Sequence, residues 1–454
     1  MFKLKLAKVH FLKIFVVRKN IKAFLLLSLT FLAQLSCNTT DPKLESELKL
    51  ELKDVSCTEA WLQLTTNNIQ LPATINLLKN NTVAQTFSLS TQDSLLYIDS
   101  LLPNQNYKFK VVANTTNNPQ PTTNEVLAQT MDTTSHNFTW QTFTFGQHSS
   151  SVLYDVAIIN ENDIWAVGEI YMNDSLGQPD PKRYNAVKWN GSNWTVIRIP
   201  YNYQGEDFFN PIQSVFAFSA NDIWFCGNGV IHWDGINYIP MQIPTNIWGS
   251  YQMNKIWGSS SNDLYVVGNN GNITHYGGVS VGWKKIQSGM NLDIYDIWGD
   301  YNEKKNEFEI FAVASKVLVN QEKKIIKINK TDNVTSLSTN GIPSNLTGIW
   351  FKNKVFYVVG SGMFRKNDIE SSSEWKAFHY GLTNYHIEDI RGNDLNDVVA
   401  YGSFGELLHF NGLSWKSYLD ETYMNGAWGG TIKENIICCV GLENNKAIIT
   451  IGKR

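Results

Sequence analysis

Asn162-Asp163-Ile164-Trp165-Ala166-Val167-Gly168 is the pattern from which most of the chain is built. It returns as Asn221-Asp222-Ile223-Trp224-Phe225-Cys226-Gly227 and Asn262-Asp263-Leu264-Tyr265-Val266-Val267-Gly268, and more loosely at 309–314, 355–360, 397–402 and 434–441. Gly168, Gly227, Gly268, Gly360, Gly402 and Gly441, with Ala314 in the fourth place, mark seven copies spaced by 39 to 59 residues. Around each copy the apolar residues alternate with the period of β-structure. In the second copy, Val215–Phe218, Ile223–Cys226, Val230–Trp233 and Tyr238–Ile243 read as four short strands separated by turn residues. Asn190-Gly191, Asp234-Gly235 and Asn411-Gly412 fall between third and fourth strands, where two-residue hairpins with positive φ at both centres are expected.

Four-stranded units at such a period predict a seven-bladed β-propeller over 137–454. The seventh copy ends at Lys446–Ile451 with no fourth strand. Trp140–Gly146 repeats the pattern of Trp375–Gly381, so a strand from the N-terminal side is expected to complete the last blade and leave no open edge. The hairpins Trp189–Trp194 and Phe410–Trp415 resemble the Asp-box turn, Ser-x-Asp-x-Gly-x-x-Trp, keeping its Gly and Trp without its Ser and Asp. The resemblance implies the fold, not the sialidase activity of many proteins that share the turn. Arg183, Arg198, Arg365, Arg391 and Arg454 occupy no equivalent places, so no arginine cluster for a sialoside carboxylate is expected.

The 454 residues exceed one ordinary core, and 17% charged with 13% aromatic residues is the balance of an ordered all-β protein. A net charge of −3 supplies no field for holding nucleic acid, which is not expected as a partner. Lys3, Lys5, Lys8, Lys13, Arg18, Lys19 and Lys22 precede the apolar run Ala23–Ala33, the form of a secretory signal and short of the roughly 20 residues of a membrane span. Gln34-Leu35-Ser36-Cys37 resembles a bacterial lipobox, with Gln34 where that motif has Leu. The resemblance implies residues 1–37 as leader, lipidation of Cys37, and a place in the cell envelope as an outer-membrane lipoprotein facing the periplasm or the cell surface. The alternative is an ordinary signal peptide cut nearby. Polar residues 38–46 form a tether.

Over 47–133 period-2 runs predict a β-sandwich. Leu101-Leu102-Pro103-Asn104-Gln105-Asn106-Tyr107 resembles the tyrosine corner of fibronectin type III domains, and with Trp61 in the second strand it implies a fibronectin type III-like module. The overall expectation is therefore an all-β chain, a fibronectin type III-like β-sandwich plus a seven-bladed propeller.

Counting six residues back from the acidic opener of each second strand selects Ala157, Phe216, Trp257, Arg391 and Trp428, with Trp298 and Trp350 in the matching Ile-Trp frame. These side chains either fill the gaps between blades or line the channel mouth as stacking platforms. Arg391 is the odd member and must be paired or face water. Glu169–Tyr184 and Tyr201–Pro211, the latter with Tyr201, Tyr203, Phe208 and Phe209, are long loops expected on one face. Cys438-Cys439 resembles the vicinal pair of some quinoprotein propellers, but adjacent strand residues point to opposite faces. His232, His275 and His409 belong to different blades and cannot converge on a metal. No metal, cofactor or phosphate loop is expected. The functional expectation is a binding protein whose partner is a protein or a glycan. The alternatives are a glycoside hydrolase or lyase using Glu206 and Asp207, and a structural envelope component.

Overall fold

Alternating apolar residues between Glu47 and Gln129 fold into two antiparallel sheets packed face to face. One has Glu47–Val55, Ala60–Asn67 and Asp93–Ile98 in that order; the other has Thr82–Leu89, Ala73–Lys79, Asn106–Ala113 and Val126–Gln129. Their inner faces bury Leu50, Leu62, Ile75, Phe109 and Val111. The Leu102 amide donates to Tyr107 Oη at 2.9 Å, tying the strand to the turn before it. This computed structural model describes residues 47–114, 119–303, 305–316, 322–422 and 424–454. The expected leader, Cys37 and the tether lie outside the described residues.

Seven four-stranded antiparallel sheets follow among the described residues, each running in order from first strand to fourth. Their first strands are Val152–Asn160, Ile212–Ser219, Met253–Ser260, Asp293–Asn302, Leu346–Lys352, Ile387–Asp394 and Gly426–Lys433. Each touches the next, and the last touches Val152–Asn160, so the sheets stand around a common axis. The seventh sheet takes its fourth strand from Thr139–Phe145, which pairs with Lys446–Lys453 from Ala447 opposite Phe145 to Lys453 opposite Thr139.

Two local expectations are corrected. Gly191, Gly235 and Gly412 have φ of +92°, +95° and +94°, but the Asn or Asp before each is not in the left-handed region. The side chain decides the turn instead. Asn190 Oδ1 accepts from the amides of Ser192 and Asn193, and Asp234 and Asn411 do the same, which makes four-residue loops.

Trp61 is buried, but outside the sandwich core. It packs with Val355, Tyr357 and Leu408 of the fifth and sixth sheets and donates from Nε1 to Asn367 O at 3.0 Å. Around it, Asn396 Nδ2 donates to Asp132 O at 2.8 Å, and Glu59 meets Arg365. Sandwich and sheets thus belong to one compact unit. The sandwich sits where first-to-second and third-to-fourth connections emerge, at Asn396 and Asn367, and among the described residues it leaves the other face of the sheets uncovered.

Candidate functional site

Near its start each of the seven first strands carries an extra residue, at an equivalent place in its pairing with the second: Tyr154, Gln213, Asn254, Tyr295, Thr347, Glu388 and Trp428. Such a bulge bends the strand and brings its backbone close to its partner. The repeated glycine is explained here. A Cβ on Gly168 would stand 2.1 Å from Val152 O, one on Gly402 2.0 Å from His386 O, and one on Gly441 1.8 Å from Gly426 O. At these three places only glycine leaves room for that carbonyl; the fourth sheet carries Ala314 there, opposite Ile294.

The residues just after the bulges, among them Asp155, Ser214, Lys255, Asp296 and Asp389, meet across the axis. Ser214 Oγ donates to Asp155 Oδ2 at 2.7 Å. Lys255 Nζ reaches Asp155 Oδ1 at 3.2 Å and, from the opposite side, Asp389 Oδ2 at 3.4 Å. Arg391 donates to both oxygens of Asp296, at 2.6 and 3.0 Å, and to Asp389 Oδ1 at 2.6 Å, while Tyr401 Oη donates to Asp389 Oδ2 at 2.9 Å. The axis is plugged by three carboxylates and two cations. Burial pushes Asp389 up to about 7, with Arg391 opposing and Asp296 reinforcing the rise. For Asp296 burial acts the same way, but Arg391 and Lys255 outweigh it and hold the carboxyl below its ordinary value. Arg391 is thus paired, with its guanidinium 5.0 Å from the Trp298 ring.

On the sandwich side of the plug lies a cavity of about 220 Å³ that Trp257, Trp298 and Arg391 help to line; Trp350 and Trp428 do not. The indoles of Trp257 and Trp350 lie where a Cβ on Gly299 or Gly392 of the next sheet would be, at 2.4 and 2.6 Å, so both tryptophans fill the space between sheets. Trp428 is not in their frame. Arg391 pairs with Val399, and its counterpart in the last sheet is Thr431, opposite Cys438. The count misled because Glu434 lies in the turn before Ile436, where the second strand begins. Trp428 is the bulge residue instead, 46% exposed.

A second repeated arrangement escaped the sequence reading. The acid opening a second strand pairs with a cation or histidine of the third strand, which lies over the aromatic ring two residues further on. His275 Nε2 lies 2.7 Å from Asp263 Oδ1, with its ring stacked 4.3 Å from Tyr265; His232 pairs with Asp222 over Trp224, and Lys327 with Glu309 over Phe311. The signal was the matching third-strand place of the histidines, read one residue type at a time. In the fifth sheet Val355 replaces the acid, and the sandwich supplies Glu59 to Arg365.

The two long connections of the first sheet meet: Lys182 lies 5.9 Å from the Phe209 ring, and Arg198 stands between them, 3.9 Å from the Tyr184 ring and 5.9 Å from Phe209. Tyr201 packs on Gly229, while Tyr203 and Phe208 are exposed on a hairpin of Tyr201–Tyr203 and Glu206–Phe208. Glu206 and Asp207 are exposed neighbours on that hairpin's second strand. Their side chains point to opposite sides and do not converge on one bond. Cys438 and Cys439 are free and buried in different clusters, one toward the first sheet and one toward the sixth.

On the open face the last three sheets leave four large aromatics exposed, Tyr380, Tyr385, Phe404 and Trp428. Tyr385 and Phe404 lie 5.0 Å apart between ring centres.

No protein-family model matches the sequence, and no curated protein matches it. Among solved structures the chain is similar to YCF48 bound to a D1 peptide, with TM-score 0.51 and 15% identity over 69% of this chain and 95% of that one. It is similar also to YCF48 from Cyanidioschyzon merolae, with TM-score 0.50 and 14% identity over 68% and 98%. The WD40 β-propeller domain of Doa1 matches at TM-score 0.46, with 12% identity over 70% and 98%. At such identities the likeness is one of fold: the chain is an all-β protein of the β-propeller class.

Proposed function

We propose that this is an exported, lipid-anchored binding protein. In this reading a fibronectin type III-like module and a seven-bladed propeller form one unit, and the open face of the propeller receives a segment of another protein. The observation that carries the reading is the exposure of Tyr380, Tyr385, Phe404 and Trp428, two of them in contact. Large rings are left in water on the face opposite the sandwich, where a solitary protein gains nothing from them, and aromatic anchors of this kind dominate protein interfaces. The similar fold of YCF48 in its complex with a D1 peptide supports a peptide as the ligand class. Anchoring through Cys37 would hold the module near a membrane and present the propeller away from it.

The test places a photo-cross-linking amino acid at Phe404, at Trp428 and, on the sandwich, at exposed Leu127. The expected result is one recurrent polypeptide adduct from the first two positions, absent at Leu127 and lost on Trp428→Ser in the Phe404 probe. Equal labelling at all three positions, or none at Phe404 and Trp428, would overturn the reading.

A further inference from the structure

A cavity with a coherent chemistry lies elsewhere on the open face, between the short helix Thr245–Trp248 and the fourth strand Trp283–Gln287 of the third sheet. It holds about 710 Å³, the size of a site for a small organic ligand. Its lining has a distinct composition. Asn246, Asn270, Gln287 and Asn291 bring exposed amides, each with donors and an acceptor. Tyr251 is 48% exposed and presents a ring, and its backbone carbonyl accepts from Trp248 Nε1 at 2.6 Å.

Lys285 is the one cation of this lining, and no Asp or Glu lines the cavity. Among the described residues Lys285 makes no ion pair; its ammonium donates to Asn272 Oδ1, and the Trp248 ring lies 5.9 Å away. Burial holds its pKa below the ordinary lysine value. The nearby Asp293 accepts from the backbone N–H of Asn270 at 2.8 Å and does not line the cavity. A partly desolvated cation without a carboxylate is a place for an anion from outside.

Amides that can both donate and accept suit an array of hydroxyls. A tyrosine face suits the apolar face of a sugar ring, and a lone ammonium suits a carboxylate. Taken together, the geometry points to a binding site for a carboxylated oligosaccharide, its acid group on Lys285 and one ring on Tyr251. This site shares no residue with the aromatics proposed to receive a protein, so each reading fails by itself.

The test is an array of uronate- and sialate-bearing oligosaccharides beside their neutral counterparts, probed with the purified protein and with Lys285→Met, Tyr251→Ala and Asn246→Ala. Binding is expected for carboxylated members over neutral ones. It should fall about tenfold in Lys285→Met, the loss of one charge-assisted contact, and should fall also in Tyr251→Ala, an exposed side chain whose removal leaves the melting temperature unchanged. Binding of no oligosaccharide, preference for the neutral members, or variants that bind as the parent does would overturn the assignment.

Discussion

Glu59 of the sandwich receives Arg365 of the fifth sheet through both carboxylate oxygens, Nη1 reaching Oε1 at 2.7 Å. The pair repairs a gap in the repeat, because Val355 stands where Asp222, Asp263 and Asp397 open their second strands beside a third-strand histidine. Burial disfavours the charge on Glu59, but Arg365 outweighs it and keeps the carboxyl below its ordinary value. Glu59→Ala leaves a largely buried guanidinium without its acid, a loss of about 3 kcal/mol. Trp61→Ala empties the adjoining site at a similar cost, about 3 kcal/mol or more. Denaturation of the purified variants should show either loss, together with earlier proteolysis between sandwich and sheets. Unchanged curves would mean that the two parts are not joined through this contact.

The axial plug gives a second prediction. Arg391→Met strands Asp296 and Asp389 in a buried place, and removal of one partner from such a network typically costs 3–5 kcal/mol, so a loss of about that size is expected. Asp296→Asn in the same chain should restore part of it, since the second change removes the charge the first left unpaired. Chemical denaturation of both variants checks the sign: a double variant weaker than the single would contradict the pairing.

Much of this was legible from residues alone. The four strands per repeat, the strand from 139–145 and the tyrosine tie were visible because each is a local pattern of alternation or a fixed short spacing. The use of the glycines was hidden, since a bulge is a relation between two strands and leaves no mark in either. Trp428 was misplaced for the same reason: an acid in a turn was counted as an acid in a strand. The roles of Glu59 and Trp61 depend on which sheets the sandwich meets, and nothing in the sequence between 47 and 133 states that.

Asp389 predicts a pH dependence. Its folded pKa of about 7 lies above its ordinary 3.8, so the folded state binds this proton more tightly than the unfolded chain. The associated stability is complete below about pH 4 and is lost as pH rises through about 7. Glu309 has the opposite sign. Burial opposes its charge, Lys305 and Lys327 outweigh it, and its pKa falls to about 2, so its contribution is present above about pH 4.5 and is lost on acidification toward 2. His275 also loses stability on the alkaline side, since Asp263 and Asp332 overcome its burial and raise its pKa above 6.5. Asp389→Asn separates the two alkaline terms. The variant should gain on the parent as pH rises from 5 to 8, and parallel curves over that range would refute the assignment.

Closure of the last sheet can be tested by where the chain begins. A chain starting at Asn137 keeps Thr139–Phe145, whereas one starting at Gln147 leaves Lys446–Lys453 as an edge with unpaired amides and carbonyls. That strand is rich in Ala447, Ile448, Ile449 and Ile451, all buried in the intact protein, and an apolar open edge recruits other strands. Both shortened chains lose the sandwich and expose the site of Trp61, so the difference between them isolates the closing strand. The longer is expected to remain monomeric on size-exclusion chromatography and the shorter to aggregate. Moving residues 137–146 to follow Arg454 in the shorter chain should rescue it, because Lys453 pairs with Thr139 and the two ends already lie side by side. Failure of that permuted chain to recover a monomer, while the longer chain remains one, would show that the strand acts through its attachment to residue 147 rather than through the seven rungs it adds to Lys446–Lys453.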